Sequence, residues 1–592
     1  MKNKLIDIVI ILIFSLIVSI PLASQNLNIY VDDGIQHMAR LMGTFQTIAE
    51  GEIPPVIMSN FCNGFGYSWN IFYSPLTAYI PLIFSVFTSS FELMLKLFMV
   101  LCSFLSGIAM YSFVKKVTNN RPAALLASIV YIFAPYRLTD MYMRTAIAEL
   151  ASFIFLPIVF HGMYNIFNSE EKSIKKSLML TLGAVGLILT HIVIAMYTAI
   201  FCFIYLLINI KKLKDKQVLK MLGMNILLIL ILTSFYLLPM LEHKMATEYE
   251  VFQDGRMERT EELIRNKVDL IDLIYTKSSN FMFEIGLVTL IGLVLTILAY
   301  KQVGKQYKKL YLFALIAGAV CIILSLRFFL FEKMPAVLKM IQFTFRLLEF
   351  SSFFFAFVVA INYSLVIKNF RLRDVFVLSL LIILLVVPYK NNLNYDKKWT
   401  EDKLWPAVEV NENTGRIHAG CATFEYLPSK AFANLEYIKT RENRVYVLNG
   451  NATIENEQKD GTNMIFDISN VDANTIIELS YIYYLGYDVE VTKNDGQTEK
   501  VETFESDNGF VAINVPETAT KVTVKYTGTM LMKVTYILSG VTLVGVVVGL
   551  IVSRIVERKR KKSGENMHEV CKVRGENMHK THGIRGENMQ KY

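Results

Sequence analysis

Cysteine is scarce and scattered in this chain: six among 592 residues, with no C-x-x-C pair and no Cys/His spacing suited to a metal. Cys102, Cys202 and Cys321 fall in apolar runs and Cys571 in the tail. Only Cys62 and Cys421 are placed to meet outside a membrane, and two unrelated thiols are expected there rather than a disulfide. Also lacking are a glycine-rich phosphate loop, a Walker motif and a dinucleotide fingerprint, which sets aside a nucleotide-driven pump. The formal charge of +9 does not signal a nucleic-acid partner. The basic residues sit in short clusters between apolar runs, as loops of a membrane protein do.

Long apolar runs are what the chain has in abundance. Hydrophobic residues make up 53% of it and its mean hydropathy is +0.40, which predicts a polytopic α-helical membrane protein. About twelve spans are predicted: Leu5–Leu22, Glu92–Val114, Pro122–Tyr136, Ala148–Phe167, Ser177–Thr190, Ile192–Ile210, Leu219–Leu241, Phe281–Tyr300, Leu310–Leu326, Ile341–Ile367, Asp374–Pro388 and Leu531–Val552. Several fall short of the ~20 residues of a straight crossing, which implies local thinning or burial within the bundle. The first resembles a signal peptide, but its apolar core is long and no small-x-small site follows, so an uncleaved anchor is expected. Clusters such as Lys115-Lys116, Lys211-Lys212 and Arg558–Lys562 fall on one side, which puts both termini in the cytoplasm. That parity requires Ile71–Thr88, rich in aromatics and proline, to be re-entrant or interfacial.

The expected units are a membrane module over 1–388, an extracytoplasmic antiparallel β-sandwich over 389–530, a last span over 531–553 and a cytoplasmic tail over 554–592. Two smaller outer regions precede the sandwich: polar, turn-rich Ala23–Asn70 and charged Glu242–Asn280, the latter expected as amphipathic helix. Alternating runs at Arg444–Leu448, Thr475–Tyr484, Asp488–Thr492, Gly509–Val515 and Lys521–Tyr526, with turns such as Asn449-Gly450 and Asp460-Gly461, predict the sandwich. The tail repeats Gly-Glu-Asn-Met at 564, 575 and 586; it lacks apolar seam positions and is expected to be disordered.

Charges beside a membrane are costly, about 2.5–3.5 kcal/mol at mid-bilayer, so each asks for a reason. In Tyr30–Arg40, Asp33 precedes His37 by four residues, one helical turn, just outside the first span. Asp33 is a candidate general base, with Asp32 as its substitute, and His37 a group that orients it or meets a phosphate. An acidic N-cap on an interfacial helix is the alternative. In Tyr136–Glu149, Arg144 is a candidate phosphate ligand and Glu149 its support; a structural ion pair at a helix start is the alternative. His191 lies in a turn between two short spans and is either a polar turn residue or part of the same site. Arg346, at the outer end of a span, either neutralises a leaving phosphate or snorkels.

These motifs occur in an order that resembles the YfhO-type bacterial membrane proteins of the GT-C glycosyltransferase superfamily, also called 6-pyruvoyl-tetrahydropterin synthase-related membrane proteins. The matching residues are Asp33/His37/Arg40, Gly64-Phe-Gly-Tyr67, Phe72-Tyr-Ser-Pro-Leu76, Tyr136…Asp140-Met-Tyr-Met-Arg144…Ala148-Glu149, Leu-Thr-His191, Gln342-Phe-Thr-Phe-Arg346, Glu425-Tyr-Leu-Pro428 and Tyr483-Tyr-Leu-Gly-Tyr487. Ser74 and Thr344 depart from the pattern. The resemblance implies a GT-C-like fold and inverting transfer of a sugar from a polyprenyl-phosphate donor, with an acidic base in the first outer loop. Asp33, His37 and Asp32 are then the catalytic candidates. Arg40, Tyr67, Tyr73, Arg144, Glu149, His191 and Arg346 are the candidates for holding donor phosphate and substrate. No obligatory cofactor is expected, with a divalent cation as the alternative: some superfamily members use one, but the chain offers no outer carboxylate cluster beyond Asp32/Asp33.

The expected partners are the bilayer, a polyprenyl-phosphate-linked sugar and an envelope glycan or glycolipid acceptor; the expected location is the bacterial plasma membrane. A transporter or flippase of lipid-linked sugars is the first rival. It calls for internal repeats and polar groups at the midplane, of which few are present. A non-catalytic envelope scaffold is the second, and it would leave the boundary charges dispensable.

Overall fold

A computed structural model describes residues 2–24, 27, 33–169, 172–253, 260–275, 282–386, 409–410, 417–418 and 424–557. Asp32, Cys421, Cys571 and the repeats of the tail lie outside the described residues. Each of the twelve predicted ranges holds a helix; among the described residues, seven helices are long and apolar enough to cross a membrane, or eight if one bent pair is a single span. Those seven begin at Asn3, Phe91, Ile147, Lys216, Lys308, Thr344 and Met530. The bent pair is Arg121–Ile132 with Pro135–Met143, which turns by 44°. Seven or eight such helices among the described residues are fewer than the twelve crossings expected: an apolar run marks burial, and some runs pack in the bundle without the length of a full crossing.

Local signals account for the helix ends. Ser90 caps Phe91–Thr118 by accepting the Leu93 N–H at 3.3 Å, and Asn119 closes that helix in a left-handed conformation (φ +52°). Asn120 then caps Arg121–Ile132, with Pro122 in the first turn. Buried polar groups fix how the helices meet. Asp7 on the first helix takes Arg121 at 2.7 Å and the Tyr111 hydroxyl at 2.6 Å. Asn362 donates to the Gly292 carbonyl at 2.9 Å and accepts from Tyr311 at 2.7 Å.

Leu76–Leu82 and the following turn Ile83–Val86 cover eleven residues, about 16 Å of helix against a hydrocarbon core of about 30 Å. This stretch is therefore too short to cross. The region 242–280 is not one amphipathic helix. Lys216–Ala246 runs into it, and short turns follow at Glu250–Phe252, Thr260–Arg265 and Leu270–Leu273. Val268 pairs with Leu326 as an isolated parallel bridge, which holds the chain extended where a helix would have continued. Within the described part of the predicted span Phe281–Tyr300, the α-helix begins at Leu287 and comes in two short pieces, Leu287–Val294 and Thr296–Ala299.

The β region begins with a short ladder, β1 (Glu409–Val410) against β2 (Ile417–His418). Two antiparallel sheets follow. One has the order β3 (Tyr446–Asn449), β6 (Thr475–Ile482), β10 (Phe510–Val515), β9 (Thr503–Glu505). The other has the order β4 (Thr453–Asp460), β5 (Asn463–Ser469), β11 (Ala519–Tyr526), β7 (Tyr487–Lys493), β8 (Thr498–Val501). Inward residues of both, among them Phe466, Ile477, Val489, Ile513 and Val522, share one core. A separate aromatic core joins this sandwich to the membrane module: Phe65, Tyr67, Trp69 and Phe72 pack with Tyr249, Tyr426, Tyr484 and Phe510. The Ile482 N–H donates to the Phe65 carbonyl at 2.9 Å across the joint.

Candidate functional site

Residues from four distant stretches meet around Glu149. Its carboxylate stands in the first turn of Ile147–Phe167, where the helix dipole favours an anion. Oε1 accepts the Arg346 Nε–H at 2.6 Å, and Oε2 accepts from Arg144 Nη1 at 2.9 Å and from the Tyr136 hydroxyl at 2.7 Å. His191 Nε2 lies 3.9 Å from Oε1. The backbone N–H of Ile194 donates to His191 Nδ1 at 3.3 Å, so the ring's proton sits on Nε2, the nitrogen nearer Glu149.

The backbone around Arg144 is irregular in a way that aims the side chain. After the bend, Thr139–Met143 forms a π-turn, and the Arg144 N–H donates to the Thr139 carbonyl at 2.9 Å. Thr145 follows with φ +50°, a left-handed conformation costly for a buried β-branched residue. Arg144 then reaches Asp140 at 2.9 Å and Asp33 at 3.4 Å, and lies over the Phe345 ring at 5.1 Å. Arg346 is set by a similar device. Gln342 has φ +64° and accepts from Arg346 Nη1 at 2.6 Å, and the Ile341 carbonyl accepts from the same nitrogen at 3.0 Å.

The cluster is buried almost throughout. The side chains of Arg144 and Asp140 are 0% exposed and that of Glu149 1%, whereas Asp33 is 24% exposed. Asp33 occupies the N-cap position of Gly34–Ala49, but its side chain makes no capping bond there and instead faces Arg144. His37 is buried one turn on, its ring edge-on to Tyr73 at 5.9 Å. Burial first, then the nearby Asp33 carboxylate, push the Tyr73 hydroxyl above its usual range, against the pull of Arg40 and Arg346.

Two expected ligands stand elsewhere. Arg40 clamps the loop that follows: its guanidinium donates to the Tyr73 carbonyl at 3.1 Å, the Ser74 carbonyl at 3.0 Å, Asn70 Oδ1 at 3.1 Å and Thr77 Oγ1 at 3.4 Å. Its fork is spent on protein acceptors. Tyr67 belongs to the aromatic joint, where its hydroxyl accepts the Tyr426 N–H at 3.1 Å. Conversely, Tyr136, Asp140 and Gln342 stood in the sequence motifs without a role, and Glu349 was missed. Glu349 is fully buried one turn past Arg346 and accepts from Ser152 Oγ at 2.5 Å. The signal for Glu349 was an acid in the first turn of a span. No group of three or more His, Cys, Asp or Glu suited to a metal ion occurs among the described residues.

The model of the 6-pyruvoyl-tetrahydropterin synthase related domain, described as a membrane protein, matches residues 71–395, more than half of the chain. The chain belongs to this family. Its matched stretch holds Tyr73, Arg144, Glu149, His191 and Arg346, whereas Asp33, His37, Arg40 and Tyr67 precede it. A protein of Lactococcus lactis subsp. cremoris (strain MG1363), described only as uncharacterized, is 32% identical over 251 residues. That match covers 41% of this chain and about two fifths of the relative's own length.

Proposed function

We propose that this family member is an integral membrane glycosyltransferase, using a polyprenyl-phosphate-linked sugar as donor and an envelope glycan or glycolipid as acceptor. The reading places the reaction on the outer face of a bacterial plasma membrane, with both termini in the cytoplasm. The observation that carries it is the shared hold of Arg144 and Arg346 on Glu149, next to a part-exposed Asp33. Two guanidinium groups fixed in a water-poor setting suit the charge that develops on a departing phosphate. Asp33, the most exposed acid of the cluster, takes the proton of the acceptor hydroxyl as that oxygen attacks the anomeric carbon. His191 and Tyr136 orient Glu149, and through it both arginines.

The test is a purified, vesicle-reconstituted chain given a polyprenyl-phosphate sugar, with released polyprenyl phosphate as readout. Asp33→Asn is expected to fold normally and lose at least a hundredfold in transfer, within the usual contribution of a general base. Full transfer by a well-folded Asp33→Asn chain refutes the assignment.

A further inference from the structure

Two short segments beside the Arg346 turn carry large apolar side chains on the outside. Leu270, Ile274 and Tyr275 are 63–67% exposed, and Phe328, Leu330 and Val337 are 49–67% exposed. Their neighbours Leu263, Val268, Leu273 and Phe331 are buried, so each segment has an inner and an outer apolar side. The two are tied into one unit. The Val268 N–H donates to the Ser325 carbonyl at 3.0 Å, and the Arg327 N–H donates to the Val268 carbonyl at 2.9 Å. Lys267 pairs with Glu332 at 2.7 Å, and Arg327 with Asp269.

The exposed side continues the outward apolar face of a membrane-capable helix. Helix Lys308–Ser325, apolar enough to cross a membrane, shows Ile316, Val320 and Ile323 outward at helical spacing, and the chain passes from it directly to Phe328 and Leu330. Apolar patches of this kind are rare on surfaces that meet only water. Apolar residues mixed with paired charges at the end of a span match a segment lying in the interface. The unit is also fastened to the site: Thr344 Oγ1, two residues from Arg346, bonds to the Asn266 carbonyl at 3.2 Å and the Ser325 carbonyl at 3.3 Å.

We propose that residues 260–275 and 326–340 form an interfacial flap, whose partner is the lipid leaflet itself at the boundary of headgroups and acyl chains. The flap holds the Arg346 turn at headgroup depth, where a phosphate borne on a lipid would arrive. The proposal concerns depth, not chemistry, and stands or falls apart from sugar transfer.

The experiment uses the full chain in phosphatidylglycerol/phosphatidylethanolamine vesicles, its native cysteines replaced by serine. A nitroxide is attached through Ile274→Cys, Phe328→Cys or, as the water-exposed reference, Lys500→Cys on β8. The first two labels are expected to collide with dissolved oxygen and be shielded from a water-soluble nickel chelate, with the reverse at 500. Nickel access at either flap position equal to that at 500 overturns the proposal. So does spin–spin broadening at the flap that disappears on dilution with unlabelled chain, which would assign the surface to a second copy.

Discussion

Replacing Glu149 by glutamine tests whether the cluster is one electrostatic unit. The substitution keeps the shape but removes the charge that two guanidinium groups share. Arg144 keeps Asp140 at 2.9 Å, so most of the loss falls on Arg346, left with the Ile341 carbonyl and the Gln342 side chain. A unit-charge pair about 4 Å apart at an effective dielectric near 20 is worth about 4 kcal/mol, and desolvation of the carboxylate, which glutamine avoids, offsets part of the two pairs lost. A net destabilisation of about 3–5 kcal/mol is expected, as for other broken buried pairs. Arg346→Met should cost a similar amount, because Glu149 then keeps only Arg144, Tyr136 and His191. The double variant removes both charges and should cost about 2–3 kcal/mol less than the sum. The assay is unfolding by a denaturing detergent in mixed micelles, followed by tryptophan fluorescence. Single-variant costs that add to the double within about 0.5 kcal/mol refute the idea of a coupled network.

Three other outcomes are expected. Lys459 bonds to the Gly64 and Ser480 carbonyls at 2.6 and 2.7 Å and to Asn443 at 2.8 Å; burial, helped by Arg441 and opposed by Glu457, lowers its ammonium to about 7. A lysine depressed in the folded state releases its proton there first, so the unfolded chain binds more protons above pH 7 and stability rises with pH through that window. The slope from this one group approaches about 1.4 kcal/mol per pH unit, measured by denaturation at pH 7–9 and abolished in Lys459→Met. Gly64→Ala forces a Cβ into a position with φ +82° and 2.6 Å from Asn443 Nδ2, so the joint should lose about 1–2 kcal/mol, seen as faster amide exchange in β4 and β6. Arg40→Lys replaces a five-donor fork by an ammonium with three N–H groups and leaves at least one of the four acceptors unmet, at about 1–3 kcal/mol, read in the same detergent titration.

Apolar runs predicted by position each membrane-capable helix found among the described residues, because a run of about twenty hydrophobic residues has few other places to go. They did not predict which helices cross. Ile174–Thr190 reads as a span in composition but has only 17 residues, a distinction that depends on the neighbours that bury it. In the sandwich, no predicted run covers β4, β5, β8 or β9, although the turn Asp460-Gly461 between the first two was read correctly. β4 lies on a sheet edge, and its polar sequence Thr453–Asp460 carries little of the alternation that marks a strand with one buried face. At the site, Asp33, Arg144, Glu149, His191 and Arg346 were all named from residue type and position beside a span, and the fold brings them together. Arg40 and Tyr67 carried equally suitable chemistry. Their partners, the carbonyls of Tyr73 and Ser74 and the backbone of Tyr426, exist only once the chain is folded.

The balance of charge constrains how any phosphate reaches this cluster. Asp33, Asp140 and Glu149 face Arg144 and Arg346, three acids against two permanent cations, while His191 offers a neutral ring. An added anion worsens that balance unless a carboxylate gives way. Asp140 and Glu149 are buried, with contacts of 2.6–2.9 Å; Asp33 is part-exposed and its contact with Arg144 is the longest at 3.4 Å. Under the proposed reaction, the donor phosphate therefore displaces Asp33 from Arg144, and the freed carboxylate turns to the acceptor hydroxyl. Asp33→Asn should then bind polyprenyl phosphate more tightly than the unaltered chain, by about tenfold for ~1.4 kcal/mol of relieved repulsion, while failing in transfer. Weaker binding in that variant, measured by fluorescence quenching in micelles, would mean that Asp33 helps to hold the phosphate and does not yield to it.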